Sequence, residues 1–229
     1  MSGTQDYYLI KSFSSKKNNV YLAACGEEKL VVKFYTRDGA RKSRREFDCL
    51  ARARKMNLRV PEPIAILDNG LGIAMQYIEA QNLCDSLNIN PREEYARALA
   101  DWYGAWHRAF KEETGVLSRG DGILKNFIWD GELWGVDFEE AGPGEPAADI
   151  GKTCASILNT DPMFTATKID LCRILIERYQ AQTHFPITPA VDGHIAAALL
   201  EAARWRTRGG ELLTSMATKI AENGLLSLR

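Results

Sequence analysis

The chain has 229 residues, 45% of them hydrophobic, enough to bury a core in one two-lobed domain or two small ones. Its 29 Lys and Arg against 30 Asp and Glu leave a formal charge of -1, which argues against a dedicated nucleic-acid partner and leaves only local patches. No apolar run approaches the roughly 18 residues of a membrane span, and the start Met1-Ser2-Gly3-Thr4-Gln5-Asp6 lacks the basic and apolar stretches of a secretory signal.

The five cysteines (Cys25, Cys49, Cys84, Cys154, Cys172) are widely spaced and show no zinc-site pairing, so they read as reduced thiols of a cytoplasmic protein. No internal repeat or low-complexity linker interrupts the chain.

In chain order, residues 7–35 alternate apolar and polar side chains over Tyr7–Ile10, Val20–Ala24 and Lys29–Tyr35, broken by turn material at Ser14–Asn19 and Gly26–Glu28. Three antiparallel strands are expected. Lys33 falls inside the third, where a buried ammonium needs an anion unless its head reaches water. A helix follows from Gly39 to Met56 with Asp38 as cap, and Phe47, Leu50, Ala51 and Ala53 mark its apolar face. Glu46 lies at the edge of that face, placed to meet Lys33 and leave the ammonium aimed at phosphate oxygens. The helix is otherwise basic, which reads as a solvated face. Val60-Pro61-Glu62-Pro63 ends it, and two strands follow, Ile64–Leu67 and Leu71–Ile78. The exit from the second, Gln76 to Ala80, is a linker whose backbone groups can read an adenine edge.

From Pro91 the pattern is helical, with Leu99, Trp102, Tyr103, Trp106 and Phe110 forming a core stripe and His107 beside it, expected to pack with one hydrogen bond. Then comes Arg119-Gly120-Asp121-Gly122-Ile123-Leu124-Lys125-Asn126-Phe127, and after it Trp134-Gly135-Val136-Asp137-Phe138-Glu139. A hairpin turning at Trp129–Glu132 brings Asn126 and Asp137 to one edge. Two such oxygen ligands suit Mg²⁺, which is usually held by one or two protein oxygens, waters and nucleotide phosphates. Asp121, on the preceding loop, is free to orient a substrate hydroxyl. A Gly/Pro-rich loop at Gly142–Pro146 leads to Asp149-Ile150-Gly151 at a helix start, and residues 163–229 read as wholly helical.

Lys33, Glu46, Asp121, Asn126 and Asp137, in this order and spacing, resemble the protein-kinase-like superfamily, closest to its aminoglycoside phosphotransferase and choline kinase branch. The segment Gly144-Glu145-Pro146-Ala147-Ala148-Asp149-Ile150 resembles that branch's Gly-Asp-Pro-x-x-Asp-Leu, and Ser14 to Tyr21 resembles its Ser/Asn-rich nucleotide loop. The resemblance implies an α+β, bilobal fold: residues 1–78 a nucleotide-binding lobe of antiparallel sheet plus one helix, residues 79–229 a mainly helical catalytic and substrate lobe.

It implies ATP and Mg²⁺ as cofactors, with Asp121 as catalytic base and Asn126 and Asp137 as metal ligands. Lys33, paired with Glu46, would contact the ATP phosphates. Ser14 and Ser15 would belong to the nucleotide loop, and the backbones of Gln76 and Ile78 would bind adenine. Asp149 would brace the catalytic loop. Arg119 stands where the branch commonly has His, its charge expected beside Asp121 and Asp137, and Lys16 and Lys17 stand where a nucleotide loop often has glycine.

The implied activity is phosphoryl transfer from ATP to a hydroxyl of a small molecule: an amino sugar, a choline-like amine or a sugar. Glu139, Glu140 and Glu145 are candidates to attract a cationic acceptor, and Arg204, Arg206 and Arg208 an anionic one. The alternatives are an atypical protein Ser/Thr kinase and a nucleotide-binding pseudokinase. The sequence leaves the acceptor, the oligomeric state and the choice of ATP or GTP open.

Overall fold

A computed structural model of the chain describes residues 7–15 and 17–228. Lys16, expected in the nucleotide loop, and the polar start at residues 1–6 lie outside them. The alternating stretches form strands Tyr8–Phe13 (β1), Asn18–Cys25 (β2) and Glu28–Tyr35 (β3), since successive side chains on a strand face opposite ways. With Pro63–Leu67 (β4) and Gly72–Gln76 (β5) they make an antiparallel sheet ordered β1-β2-β3-β5-β4. β2 begins at Asn18, inside the stretch expected as a turn. Lys33 stands opposite Val20 on one side and Ile73 on the other, in the middle of the sheet.

Helix Gly39–Lys55 (α1) buries Ser43, Glu46, Cys49, Leu50 and Ala53. Its buried face is therefore more polar than expected, and Phe47 and Ala51 are only half-buried. Asp38 occupies the N-cap position in a left-handed conformation and makes no side-chain cap bond. Its carboxylate instead pairs with Arg41 at 3.2 Å. The basic residues Arg41, Arg44, Arg52, Arg54 and Lys55 are exposed, as a solvated face requires.

Two compact units emerge, one of Met1–Glu79 with Val136–Glu140, the other of Ala80–Gly135 with Ala141–Arg229. Asp137 and Glu139 therefore group with the sheet unit, although the flanking chain belongs to the helical one.

In the helical unit, Gln81–Asn82 (β6) opens a short helix, Leu83–Ile89 (α2), that the periodicity did not reveal. Asn82 caps it by accepting from the Asp85 N–H at 3.0 Å. Helix Glu93–Ala109 (α3) carries the aromatic stripe, with Trp102 stacked on Trp106 and both rings buried. Lys111–Glu112 (β7) and Gly115–Ser118 (β8) follow, then the expected hairpin of Phe127–Trp129 (β9) and Leu133–Gly135 (β10). Gly142–Gly144, expected as loop, is a strand (β11) paired with β8. Four helices complete the unit: Pro146–Leu158 (α4), Ala166–Thr183 (α5), Thr188–Trp205 (α6) and Gly210–Asn223 (α7). Among the described residues no helix is long and apolar enough to cross a membrane.

Candidate active site

In the sheet unit the site is built around Lys33, which is 5% exposed. Its ammonium lies 2.7 Å from Glu46 Oε2, 2.6 Å from Asp137 Oδ1 and 3.0 Å from Glu139 Oε2. The sequence pairing of Lys33 with Glu46 is thus present, but the ammonium is also shared with two further carboxylates. Burial alone would lower the Lys33 pKa; Glu46, Asp137 and Glu139 reverse this and raise it above the ordinary value. Tyr35 donates to the same Glu46 oxygen at 2.6 Å, and burial followed by the Glu46 charge raises its pKa. Glu46 Oε1 accepts the Phe138 N–H at 3.1 Å, so helix α1 holds the turn that carries Asp137. Asp137 itself adopts a left-handed backbone with φ 67°.

Glu139 is the feature that the sequence reading misplaced. Expected to attract a cationic acceptor, it is buried and bound by Lys33, by Lys42 at 3.2 Å and by the Asn18 amide. Glu140 is likewise taken, by Lys42 at 2.9 Å and Lys17 at 3.4 Å, and the Lys42 hydrogen bond leads the causes that lower its pKa. Glu145, in the helical unit, accepts from the His194 ring across 2.7 Å. All three carboxylates therefore have partners within their own units. The charges that these alternating Lys and Glu positions neutralise come from distant parts of the chain, which no spacing rule links.

In the helical unit the loop from Ser118 to Asn126 is held by one face of α4. Asp149 accepts the Arg119 N–H at 2.9 Å and the Ser118 hydroxyl at 2.8 Å. Lys152 donates to the Gly120 carbonyl at 2.9 Å, the Thr153 hydroxyl to the Gly122 carbonyl at 2.7 Å, and Ser156 accepts the Leu124 N–H at 3.0 Å. Positions 149, 152, 153 and 156 recur at helical spacing, so this polar stripe was readable in the sequence and only Asp149 was read. Gly120 has φ 74°, a conformation glycine adopts without a Cβ clash, and it turns the chain so that Asp121 follows on a half-exposed position.

The Asn126 amide donates to the Asp121 carbonyl at 3.0 Å and to its carboxylate at 3.3 Å. Asp121 and Asn126 are thereby brought together at one end of the loop. The β9 and β10 register closes with Phe127 opposite Gly135, one residue past Asn126 and two before Asp137.

Arg119 does not behave as its charge suggested. The side chain is fully buried, with its guanidinium 4.3 Å from the Phe127 ring centre and 5.1 Å from that of Trp102, and it donates to the Asn126 carbonyl at 3.2 Å. It ties the two ends of the loop from the core side. His107 makes two hydrogen bonds rather than one, to Tyr179 at 2.7 Å and Asp149 at 3.0 Å, and is wholly buried. Its role is to orient Asp149.

Ser14 and Ser15 are exposed, and the Ser15 hydroxyl accepts the Asn18 N–H at 3.2 Å, closing a turn at the start of β2. Gln76 donates its N–H to the Glu62 carbonyl at 2.9 Å and Ile78 is buried just beyond it.

Residues 10–121 match the model of the phosphotransferase enzyme family. No curated protein sequence matches the chain. Among solved structures, the choline kinase of Cryptosporidium parvum Iowa II is similar with a TM-score of 0.68 and 14% identity, covering 97% of this chain and 92% of that one. A choline/ethanolamine kinase family protein from Mesorhizobium loti also reaches a TM-score of 0.68 at 14% identity, over 100% of this chain and 94% of that one. An amicoumacin kinase, solved with AMP-PNP, Ca²⁺ and Ami, gives 0.67 at 12% identity over 93% and 87%. Likeness at such identity speaks for the fold. The chain thus shares its fold with these choline, choline/ethanolamine and amicoumacin kinase structures, and over residues 10–121 it matches a family of phosphotransferase enzymes.

Proposed function

We propose that the protein is an ATP- and Mg²⁺-dependent phosphotransferase that moves the γ-phosphoryl group of ATP to a hydroxyl of a small molecule. The observation that carries this reading is the buried Lys33 ammonium bridged to Glu46 at 2.7 Å and to Asp137 at 2.6 Å. A lysine that strand β3, helix α1 and the Asp137 turn all converge on is a point charge suited to nucleotide phosphates. Of the three carboxylates around Lys33, those of Glu46 and Glu139 are buried, whereas the Asp137 side chain is 38% exposed and offers hard oxygen of the kind Mg²⁺ takes. In the proposed assignment Asn126 and Asp137 hold the metal, whose charge, when bound, offsets that of the phosphate oxygens.

The remaining roles belong to the chain. Asp121 accepts the acceptor hydroxyl's proton as that oxygen bonds to the γ-phosphorus. The bond from phosphorus to the β–γ bridging oxygen breaks, and that oxygen leaves with the electron pair on ADP. Ser14 and Ser15 line the nucleotide loop. At the linker the Gln76 N–H is committed to Glu62, so Ile78 is assigned as donor to the adenine edge and Gln76 as acceptor. With Glu139 and Glu140 bound to lysines and Glu145 hydrogen-bonded to His194, a neutral sugar hydroxyl fits the acceptor role better than a choline-like cation. The five free cysteines support a reducing, cytoplasmic setting.

The test is transfer of label from γ-labelled ATP across panels of sugars, amino sugars and choline-like amines, with and without EDTA. Label in a small-molecule fraction that disappears with EDTA and in Asp121→Asn supports the proposal. Label confined to protein bands would replace it with a protein kinase, and ATP binding without turnover would make the chain a pseudokinase.

A further inference from the structure

The α4 stripe holds the catalytic loop through four side chains, but they do not serve it alike. Asp149, Thr153 and Ser156 meet backbone groups or the Ser118 hydroxyl, and Asp149 and Thr153 are buried at 2% and 0% exposure. Lys152 alone carries a charge, and it reaches the Asp121 side chain as well as the backbone. Its ammonium donates to the Gly120 carbonyl at 2.9 Å and also lies 3.6 Å from Asp121 Oδ1, with the two side chains 30% and 31% exposed. A tether that only shaped the loop would need no charge and no access to solvent. The contact with the Gly120 carbonyl is a hydrogen bond, and that with Asp121 is an ion pair.

We propose that Lys152 is a positioning residue of the phosphoryl transfer. It fixes the Asp121 carboxylate from the α4 side and keeps a positive charge beside the oxygen from which Asp121 takes its proton. The inference rests on the reading of Asp121 as the base. Charge held in place before the reaction stabilises the negative charge that develops on the attacking oxygen, and it does so without reorganising when the proton moves. The bonds made and broken are those of the transfer itself; Lys152 keeps its own proton throughout. The sequence hides this role because Lys152 lies 31 positions from Asp121, nearly two turns into a helix whose start reads as structural.

The experiment measures ADP release with water as acceptor in wild type, Asp121→Asn, Lys152→Met, Lys152→Gln and Lys152→Arg, each checked by thermal melting. Lys152→Met is expected to lower kcat by about tenfold or more while KM for ATP stays within about twofold, because the proposed nucleotide contacts lie in the other unit. Lys152→Gln, which keeps a donor for the Gly120 carbonyl but no charge, should fall equally, and Lys152→Arg should retain more activity than either. Wild-type kcat in folded Lys152→Met and Lys152→Gln, with Asp121→Asn inactive, would overturn the inference and leave the phosphotransferase reading intact. Wild-type turnover unaffected by Asp121→Asn would overturn that reading, and this inference with it.

Discussion

Glu46 and Lys33 form a buried ion pair at 2.7 Å whose carboxylate is also bound at its other oxygen, by the Phe138 N–H at 3.1 Å. The pair therefore does two things: it charges the centre of the sheet unit and it anchors the turn bearing Asp137.

The first prediction concerns what each partner costs when removed. Lys33→Met removes the cation shared by three carboxylates, two of them buried, and leaves only Glu139 with a second cation, Lys42, whereas Glu46→Gln leaves Lys33 with Asp137 and Glu139. Breaking a buried pair typically costs about 3–5 kcal/mol, and Lys33→Met is expected in that range with Glu46→Gln losing less. Urea unfolding at pH 7 measures both, and equal losses would contradict the three-carboxylate arrangement.

Gly122 tests the loop. A Cβ there would lie 2.6 Å from Tyr103 Oη and 3.1 Å from Thr153 Oγ1, two atoms already paired at 2.7 Å. Gly122→Ala should lose about 1–3 kcal/mol and slow ADP release, since Thr153 also holds the Gly122 carbonyl. Gly193→Ala, in helix α6 with nothing within 4 Å of the added Cβ, should instead gain about 0.5–1 kcal/mol. Chemical denaturation of the two variants side by side checks the contrast.

Arg119→Lys keeps the charge and discards the planar group that stacks at 4.3 Å from Phe127. The expected loss is about 1–2 kcal/mol of stability, and weaker ATP turnover is expected because the tie to the Asn126 carbonyl goes with it. A variant as stable as wild type would show that charge alone suffices there.

Alkaline pH provides a fourth test. Burial, then the Glu46 charge, pushes the Cys49 thiol up to about 11, and burial likewise raises Tyr35, Tyr103 and Tyr179. In the unfolded chain these groups release protons from about pH 9 for the thiol and pH 10 for the phenols, while the folded protein keeps them. The folded state then binds more protons, so stability falls as pH rises from 9 to 11. Lys168, whose pKa burial lowers, contributes with the opposite sign. Comparing wild type with Cys49→Ala cancels that contribution: the variant's unfolding free energy, measured in urea, should fall less steeply between pH 9 and 10, by up to about 1.4 kcal/mol per pH unit.

Legibility followed interaction range. Strands β1 to β5, helix α1 and the β9–β10 hairpin were readable because period-2 and period-3.6 alternation is local. Helix α2 was missed because seven residues carry little periodicity, and its cap, Asn82, stands in a two-residue strand. The Gly142–Gly144 strand was read as loop because its composition favours turns, whereas pairing with β8 decides its state. Among the charged residues, the Lys33–Glu46 pair was legible from strand and helix phase. The capture of Glu139 by Lys33, Lys42 and Asn18 was not, since those partners stand 97 to 121 positions away in the case of Lys42 and Asn18.

Local periodicity makes the α+β order legible without coordinates, and a spaced set of charged and amide groups singles out Lys33, Glu46, Asp121, Asn126 and Asp137 as candidates. What their neighbours do depends on the folded packing. It turned Arg119 into the core against Phe127 and Trp102, bound Glu139 to Lys33, and set Lys152 beside Asp121. The physical reason is that a buried or half-buried charge is placed by the partner that compensates it, and such partners are neighbours in space rather than in sequence.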